Sequence, residues 1–109
     1  MGLPLTTCPI NAGAGTVVAG AAAAVTLPAV VGSGYVVYQI ECGYSDTPTA
    51  GSVTATDGVA MWAMPVTVGG AAIFPIARHF AAGSAVVVTL HAGGTALTHY
   101  LNVGARLWG

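Results

Sequence analysis

The chain has 109 residues, of which 55% are hydrophobic and 5% charged; it carries two arginines, no lysine, three acids and a net charge of −1. Ordinary soluble domains carry roughly 25% charged residues, so this surface is either buried against other chains or built from small residues, Thr and Ser. Two arginines far apart in sequence cannot neutralise a run of phosphates, which excludes a nucleic-acid binder, and the same balance excludes docking on an anionic membrane surface.

Met1 to Ile40 contains no charged side chain. Asn11 to Val31 is long enough to span a bilayer, but Gly13, Gly15, Gly20 and Pro28 interrupt it and no basic residue flanks it. Met1 to Leu5 has no basic region of the kind a secretory leader needs. The expectation is a chain with no membrane segment, made in a cytoplasm.

Residues 1–15 read as an extended N-terminal arm, with Pro4, Pro9 and Asn11 breaking any period; arms of this kind are often tied down by a neighbouring chain. Residues 16–109 read as one domain. Thr16 to Ala19 and Ala24 to Leu27 suit short strands. Tyr35 to Cys42 is the clearest strand, rich in β-branched and aromatic residues. Simple alternation puts Val36, Tyr38, Ile40 and Cys42 on one face and Val37, Gln39 and Glu41 on the other. Ser52 to Thr56 alternates, Asp57-Gly58 is a two-residue hairpin signal, and Val59 to Val66 returns. In that register Thr56 faces Val59, and Val53 faces Trp62. Ala60, Trp62 and Met64 share the face of Val53 and Ala55, which leaves Val59, Met61 and Ala63 on a second apolar face.

Ala71 to Ile76 reads as a strand with Pro75 at its end or on a sheet edge, and Ile76 to Gly83 as a helical turn or irregular loop. Ser84 to His91 alternates, with Val86, Val88 and Leu90 inward. Gly93-Gly94 suggests a hairpin back into Ala96 to Val103, which carries Leu97, His99, Leu101 and Val103 on one face. Gly104 to Gly109 reads as a short tail. The sum is an all-β domain: an antiparallel β-sandwich or jelly roll of about seven to eight short strands joined by glycine-rich turns.

The residues capable of chemistry are few. His79, His91 and His99 are the candidates for acid–base or metal work, but a hairpin centred on Gly93-Gly94 puts His91 and His99 on opposite sheet faces. Glu41, Asp46 and Asp57 have structural readings as an outward strand residue, a turn former before Thr47-Pro48, and the hairpin turn. No serine lies in Gly-x-Ser-x-Gly and no glycine-rich stretch precedes a Lys-Ser/Thr pair. The expectation is no enzyme, with no catalytic residue, metal site or cofactor. Cys8 and Cys42 allow one intrachain disulfide, and Cys42 falls on an apolar strand face as a buried thiol. Residues for contacts beyond the domain are Leu3, Leu5 and Ile10 in the arm, Val59 and Met61 on the second apolar face, and Leu107 and Trp108 in the tail.

The stretch from Val25-Thr26-Leu27-Pro28-Ala29 through Gly43-Tyr44-Ser45 and Pro48 to Gly58, with Phe74-Pro75, Val88 to Gly94 and Leu101-Asn102-Val103, resembles a group of small virion proteins of tailed bacteriophages. The resemblance implies a capsid decoration (cement) protein, commonly trimeric. Such a protein sits on the assembled shell, has the major capsid protein as partner, and stabilises contacts between capsomers; no functional residue transfers with it. A second reading is a tail or baseplate component or a glycan-binding module, for which Tyr35, Tyr38, Tyr44, Trp62, Tyr100 and Trp108 are available to line a sugar site.

Overall fold

The computed structural model describes residues 10–17, 22–94 and 97–108. These form eight antiparallel strands and no helix: β1 (Ile10–Val17), β2 (Ala23–Leu27), β3 (Gly34–Tyr44), β4 (Gly51–Thr56), β5 (Met61–Val66), β6 (Gly70–His79), β7 (Val86–Leu90) and β8 (His99–Trp108). One sheet has the order β1-β8-β3-β6 and the other β2-β7-β4-β5. This interleaving is the jelly-roll order, in which successive strands alternate between sheets and only β4 and β5 form an in-sheet hairpin. No helix among the described residues is long and apolar enough to cross a membrane.

The core lies between the two inner faces. From the first sheet come Tyr35, Val37, Ile40, Cys42, Tyr44, Leu101, Val103 and Ala105; from the second come Ala23, Val25, Leu27, Val53, Ala55, Val86, Val88 and Leu90. Strict alternation along β2 and β7 produces this, and each fully buried Val, Leu or Ile contributes about 1.5–3 kcal/mol. Trp62 of β5 meets Phe74 of β6 across the open side of the sandwich, ring centroids 5.9 Å apart.

Several sequence expectations are corrected. Ile10 to Gly15, read as part of the arm, pair with β8 within β1; residues 1–9 lie outside those described. The long strand β3 does not alternate simply. Both its ladders shift register between Val37 and Gln39; against β8 Tyr38 is the extra residue, a bulge, while against β6 the extra residue lies in β6, and the buried phase of β3 passes from Tyr35 and Val37 to Ile40, Cys42 and Tyr44. The β4–β5 turn is longer than two residues, because Thr56 pairs with Met61 and Val53 with Met64. That two-residue slip preserves the face assignment: Val53 and Ala55 stay buried while Met61 and Ala63 point outward.

The helical turn or loop read from Ile76 is strand as far as His79, and Pro75 sits on β6, an edge strand, where its missing N–H costs no ladder bond. The tail read from Gly104 is the second half of β8, paired to β3 as far as Gly34↔Trp108. The hairpin read at Gly93-Gly94 is absent, since β7 and β8 belong to opposite sheets. The crossing is held by the β3–β4 connection: Thr49 N donates to Gly93 O (2.6 Å), Ser45 N to Thr98 O (2.9 Å) and Thr98 N to Ser45 Oγ (2.9 Å).

Candidate functional site

The outer face of the first sheet holds a shallow depression of about 390 Å³, lined by Glu41, Cys42, Gly43, Tyr44, Gly70, Tyr100 and Asn102. Strand register makes it. Glu41 of β3 lies opposite Asn102 of β8, and Gly43 opposite Tyr100; on the other side of β3, Tyr44 pairs with Gly70. Gly43 and Gly70 leave the floor without side chains, and Gly70 has φ +86°, a conformation that favours glycine. The Cys42 and Tyr44 side chains are buried on the inner face, so these residues close the depression from below.

Above the floor, Tyr100 is 47% exposed. Asn102 Nδ2 donates to Glu41 Oε1 at 3.4 Å, a long bond that leaves both side chains with free hydrogen-bonding capacity. Farther along β8, Gly104 permits the Tyr38 ring to lie over the strand: a Cβ at Gly104 would stand 2.8 Å from Tyr38 Cζ. The Arg106 guanidinium lies 5.3 Å from the Tyr38 ring centroid, within cation–π range. Gln39, beside the bulge, is exposed. The face therefore carries an aromatic residue at each end, roughly 13 Å apart along the strand at about 3.3 Å per residue, with a carboxylate and an amide between them.

Burial sorts the aromatic candidates. Tyr35 and Tyr44 are in the core, where their hydroxyls donate to Pro28 O (2.5 Å) and His91 O (2.6 Å). Trp62 is packed on Phe74, and Trp108 is half-buried against His79, ring centroids 6.1 Å apart. Tyr38 and Tyr100 remain on the outer face. The sequence reading offered Tyr38 among six aromatics but alternation put it on the face of Ile40 and Cys42, and the bulge that turns it outward has no local sequence signature.

The histidines are dispersed. His79 is exposed on β6, His91 is exposed and shares a hydrogen bond with Thr54 Oγ1 (2.9 Å), and His99 is fully buried. Because β7 and β8 lie in different sheets, the opposite-face argument for His91 and His99 does not apply. Asp57 holds three backbone N–H groups, and Asp46 accepts from Thr47 N (2.8 Å). Among the described residues no group of three or more His, Cys, Asp or Glu is placed to hold a metal. Burial, with the nearby Glu41 charge, pushes the Cys42 thiol up to about 11, so it is protonated at neutral pH and, being on the inner face, does not reach the depression.

Of the proposed contact residues, Leu3, Leu5 and the Ile10 side chain lie outside those described. Val59 is 96% and Met61 58% exposed. Leu107 packs partly on the core, and Trp108 is partly covered as the last described residue of β8.

No protein-family model matches the sequence, and no curated protein matches it. Among solved structures, TmCBM61 in complex with β-1,4-galactotriose is similar with a TM-score of 0.46 and 10% identity, over 85% of this chain and 68% of that one. A family two carbohydrate esterase from Cellvibrio japonicus is similar with a TM-score of 0.41 and 11% identity, over 94% of this chain and 34% of that one. This chain thus spans about a third of the esterase's length, and identities this low carry no residue across.

Proposed function

We propose that the chain is a glycan-binding module whose ligand lies along β3 and β8 on the outer face of the first sheet. The observation that carries this reading is the placement of exposed Tyr100 beside the Glu41–Asn102 pair over a glycine floor. A pyranose presents C–H groups on its ring faces and hydroxyls around its rim. An aromatic ring takes up the former, while a carboxylate and an amide, which accept and donate, take up the latter. The linear spread from Tyr100 to Tyr38 suits an extended oligosaccharide. The test is affinity electrophoresis and calorimetry of the whole chain against neutral, amino and acidic polysaccharides. At least one neutral or amino polysaccharide is expected to bind, and Tyr100→Ala to weaken it about tenfold. Absence of binding across the panel, or binding indifferent to Tyr100→Ala, sinks the proposal.

A second reading, a subunit of a phage virion shell that contacts the major capsid protein, is supported by the charge-poor surface and by Val59 and Met61, which stand in solvent. Its test is the copy number of the chain in purified particles, by quantitative mass spectrometry against the major capsid subunit. A simple ratio supports it and absence removes it.

A further inference from the structure

We infer that the glycan taken by the outer face of the first sheet is sparsely acidic, with the carboxylate of one sugar at Arg106 and a neutral or amino sugar at Glu41 and Tyr100. This rests on the glycan reading above and names the class of its ligand. The chain has five Asp, Glu, Lys and Arg side chains in all. Three of them hold the fold. Arg78 Nη2 donates to Met61 O at 3.2 Å, Asp57 accepts from three backbone N–H groups, and Asp46 accepts from Thr47 N. The other two, Glu41 and Arg106, both stand on the outer face of the first sheet, on the adjacent strands β3 and β8.

Register sets the distance between them. Glu41 lies opposite Asn102, and Arg106 follows Asn102 by four residues on β8, which is about 13 Å and the span of about three linked pyranoses. That exceeds the Debye length of about 8 Å at physiological salt, so neither charge neutralises the other. Among the described residues no acid pairs with Arg106. Its guanidinium lies 5.3 Å from the Tyr38 ring centroid, a contact that holds the cation by its charge and leaves N–H donors free. The planar fork of those donors matches the two oxygens of a carboxylate. Val36 pairs with Arg106 on one side and with His79 on the other, so the exposed His79 shares that row and can supply a further ring N–H. Glu41 acts in the opposite sense. It repels an acidic sugar and accepts from hydroxyl or ammonium groups. A polymer acidic on every sugar sets a like charge against Glu41 and loses there what it gains at Arg106.

The test is calorimetry of the whole chain with tetrasaccharides of β-1,4-linked glucose, galactose and N-acetylglucosamine. Each is used neutral, with one carboxylate on a terminal sugar (made at either end), and with a carboxylate on every sugar. At least one singly acidic tetramer is expected to bind about fivefold tighter than its neutral form. That gain should vanish in Arg106→Gln, persist in part in Arg106→Lys, and shrink as salt rises to about 0.5 M. The fully acidic form should bind more weakly than the singly acidic one, and Glu41→Gln should remove the difference. Thermal unfolding checks that each variant is folded; where Arg106→Gln is not, Arg106→Lys and the salt series carry the test. A singly acidic tetramer no tighter than its neutral form, a gain that survives Arg106→Gln, or a fully acidic form as tight as the singly acidic one overturns the inference. The glycan reading then still stands on the neutral tetramers and their response to Tyr100→Ala. No binding of any tetramer also overturns the inference, and the polysaccharide panel decides the glycan reading separately.

Discussion

The Tyr44 hydroxyl donates to the carbonyl oxygen of His91 at 2.6 Å, joining the end of β3 to the residue just past β7 and so tying one sheet to the other. The ring sits in a glycine-walled slot. A Cβ on Gly51 or on Gly93 would each stand 2.7 Å from a Tyr44 ring carbon. Tyr44→Phe keeps the ring and strands the His91 carbonyl, so it is expected to lower stability by about 1–2 kcal/mol. Gly93→Ala strikes both the ring and Pro48 Cβ, 2.8 Å away, and is expected to cost at least as much. Urea unfolding at neutral pH measures both; a Tyr44→Phe protein as stable as wild type would contradict the tie.

His99 meets the Tyr44 ring edge to face, centroids 4.9 Å apart at 73°. It is fully buried, its Nε2 accepts from Gly93 N at 3.4 Å, and its Nδ1 has no partner among the described residues. With Nε2 as acceptor, the neutral ring carries its proton on Nδ1, where the donor is stranded. His99→Phe removes that stranded donor and gives up only a long bond. The change is therefore expected to stay within about 1 kcal/mol of wild type, unlike the several kcal/mol usual for disrupting a core position. A loss beyond about 3 kcal/mol would mean that the Nδ1 proton has a partner in solution.

Asp57 accepts three backbone hydrogen bonds. Its Oδ1 accepts from Val59 N (2.9 Å) and Ala60 N (2.8 Å), and its Oδ2 from Ala81 N (3.0 Å), pinning the β4–β5 loop to the segment after β6. These bonds, Ala81 first, hold its carboxyl below the usual carboxylate range. A group whose folded value is lowered adds stability above its unfolded value and loses it as pH falls through the folded one. The contribution is thus present at pH 7 and drains away below about pH 4. Because the site is solvent-exposed, Asp57→Asn is expected to cost about 1 kcal/mol or less at pH 7. Thermal unfolding from pH 7 to pH 2 should show the variant and wild type converging at the acid end; a constant gap would contradict the charge-based account.

How far the sequence could be read follows from the range of each interaction. Strands such as Ala23–Leu27 and Val86–Leu90 were legible because alternation is local and one face must be dry. Pairing was not. The Gly93-Gly94 turn looks like a hairpin, but its partners, Thr49 and the Ser45–Thr98 bonds, come from the β3–β4 connection more than forty residues away. The Tyr38 bulge was equally hidden, since Gly104, where a Cβ would strike the ring, lies on another strand. The candidate site inherits both limits: Glu41 was read as outward-facing, but its neighbours Asn102 and Tyr100 are fixed by β3–β8 register.

Cys42 is buried on the inner face of β3, and its thiol is pushed up to about 11, chiefly by burial and then by Glu41. The thiolate is the reactive form, so the native thiol is expected to be inert to alkylation at neutral pH. In a Cys8→Ser background, iodoacetamide should label Cys42 only when denaturant is added. Rapid labelling of the native protein would show that the sandwich opens at this point.

The Tyr38–Gly104 contact offers the sharpest separation of binding from folding. A methyl group at Gly104 would lie 2.8 Å from Tyr38 Cζ and 2.9 Å from Cε1, so Gly104→Ala forces the ring off β8 and away from Arg106. The ring is only half-buried and free to move toward solvent, so stability is expected to change by about 1 kcal/mol or less. If Tyr38 forms the second end of the glycan platform, affinity for a long oligosaccharide should fall about tenfold, while affinity for a short one, seated at Tyr100, should hold. Calorimetry with oligomers of increasing length reads this directly. Equal losses for short and long ligands would confine the site to the depression around Tyr100, and no loss for either would remove Tyr38 from the ligand's path.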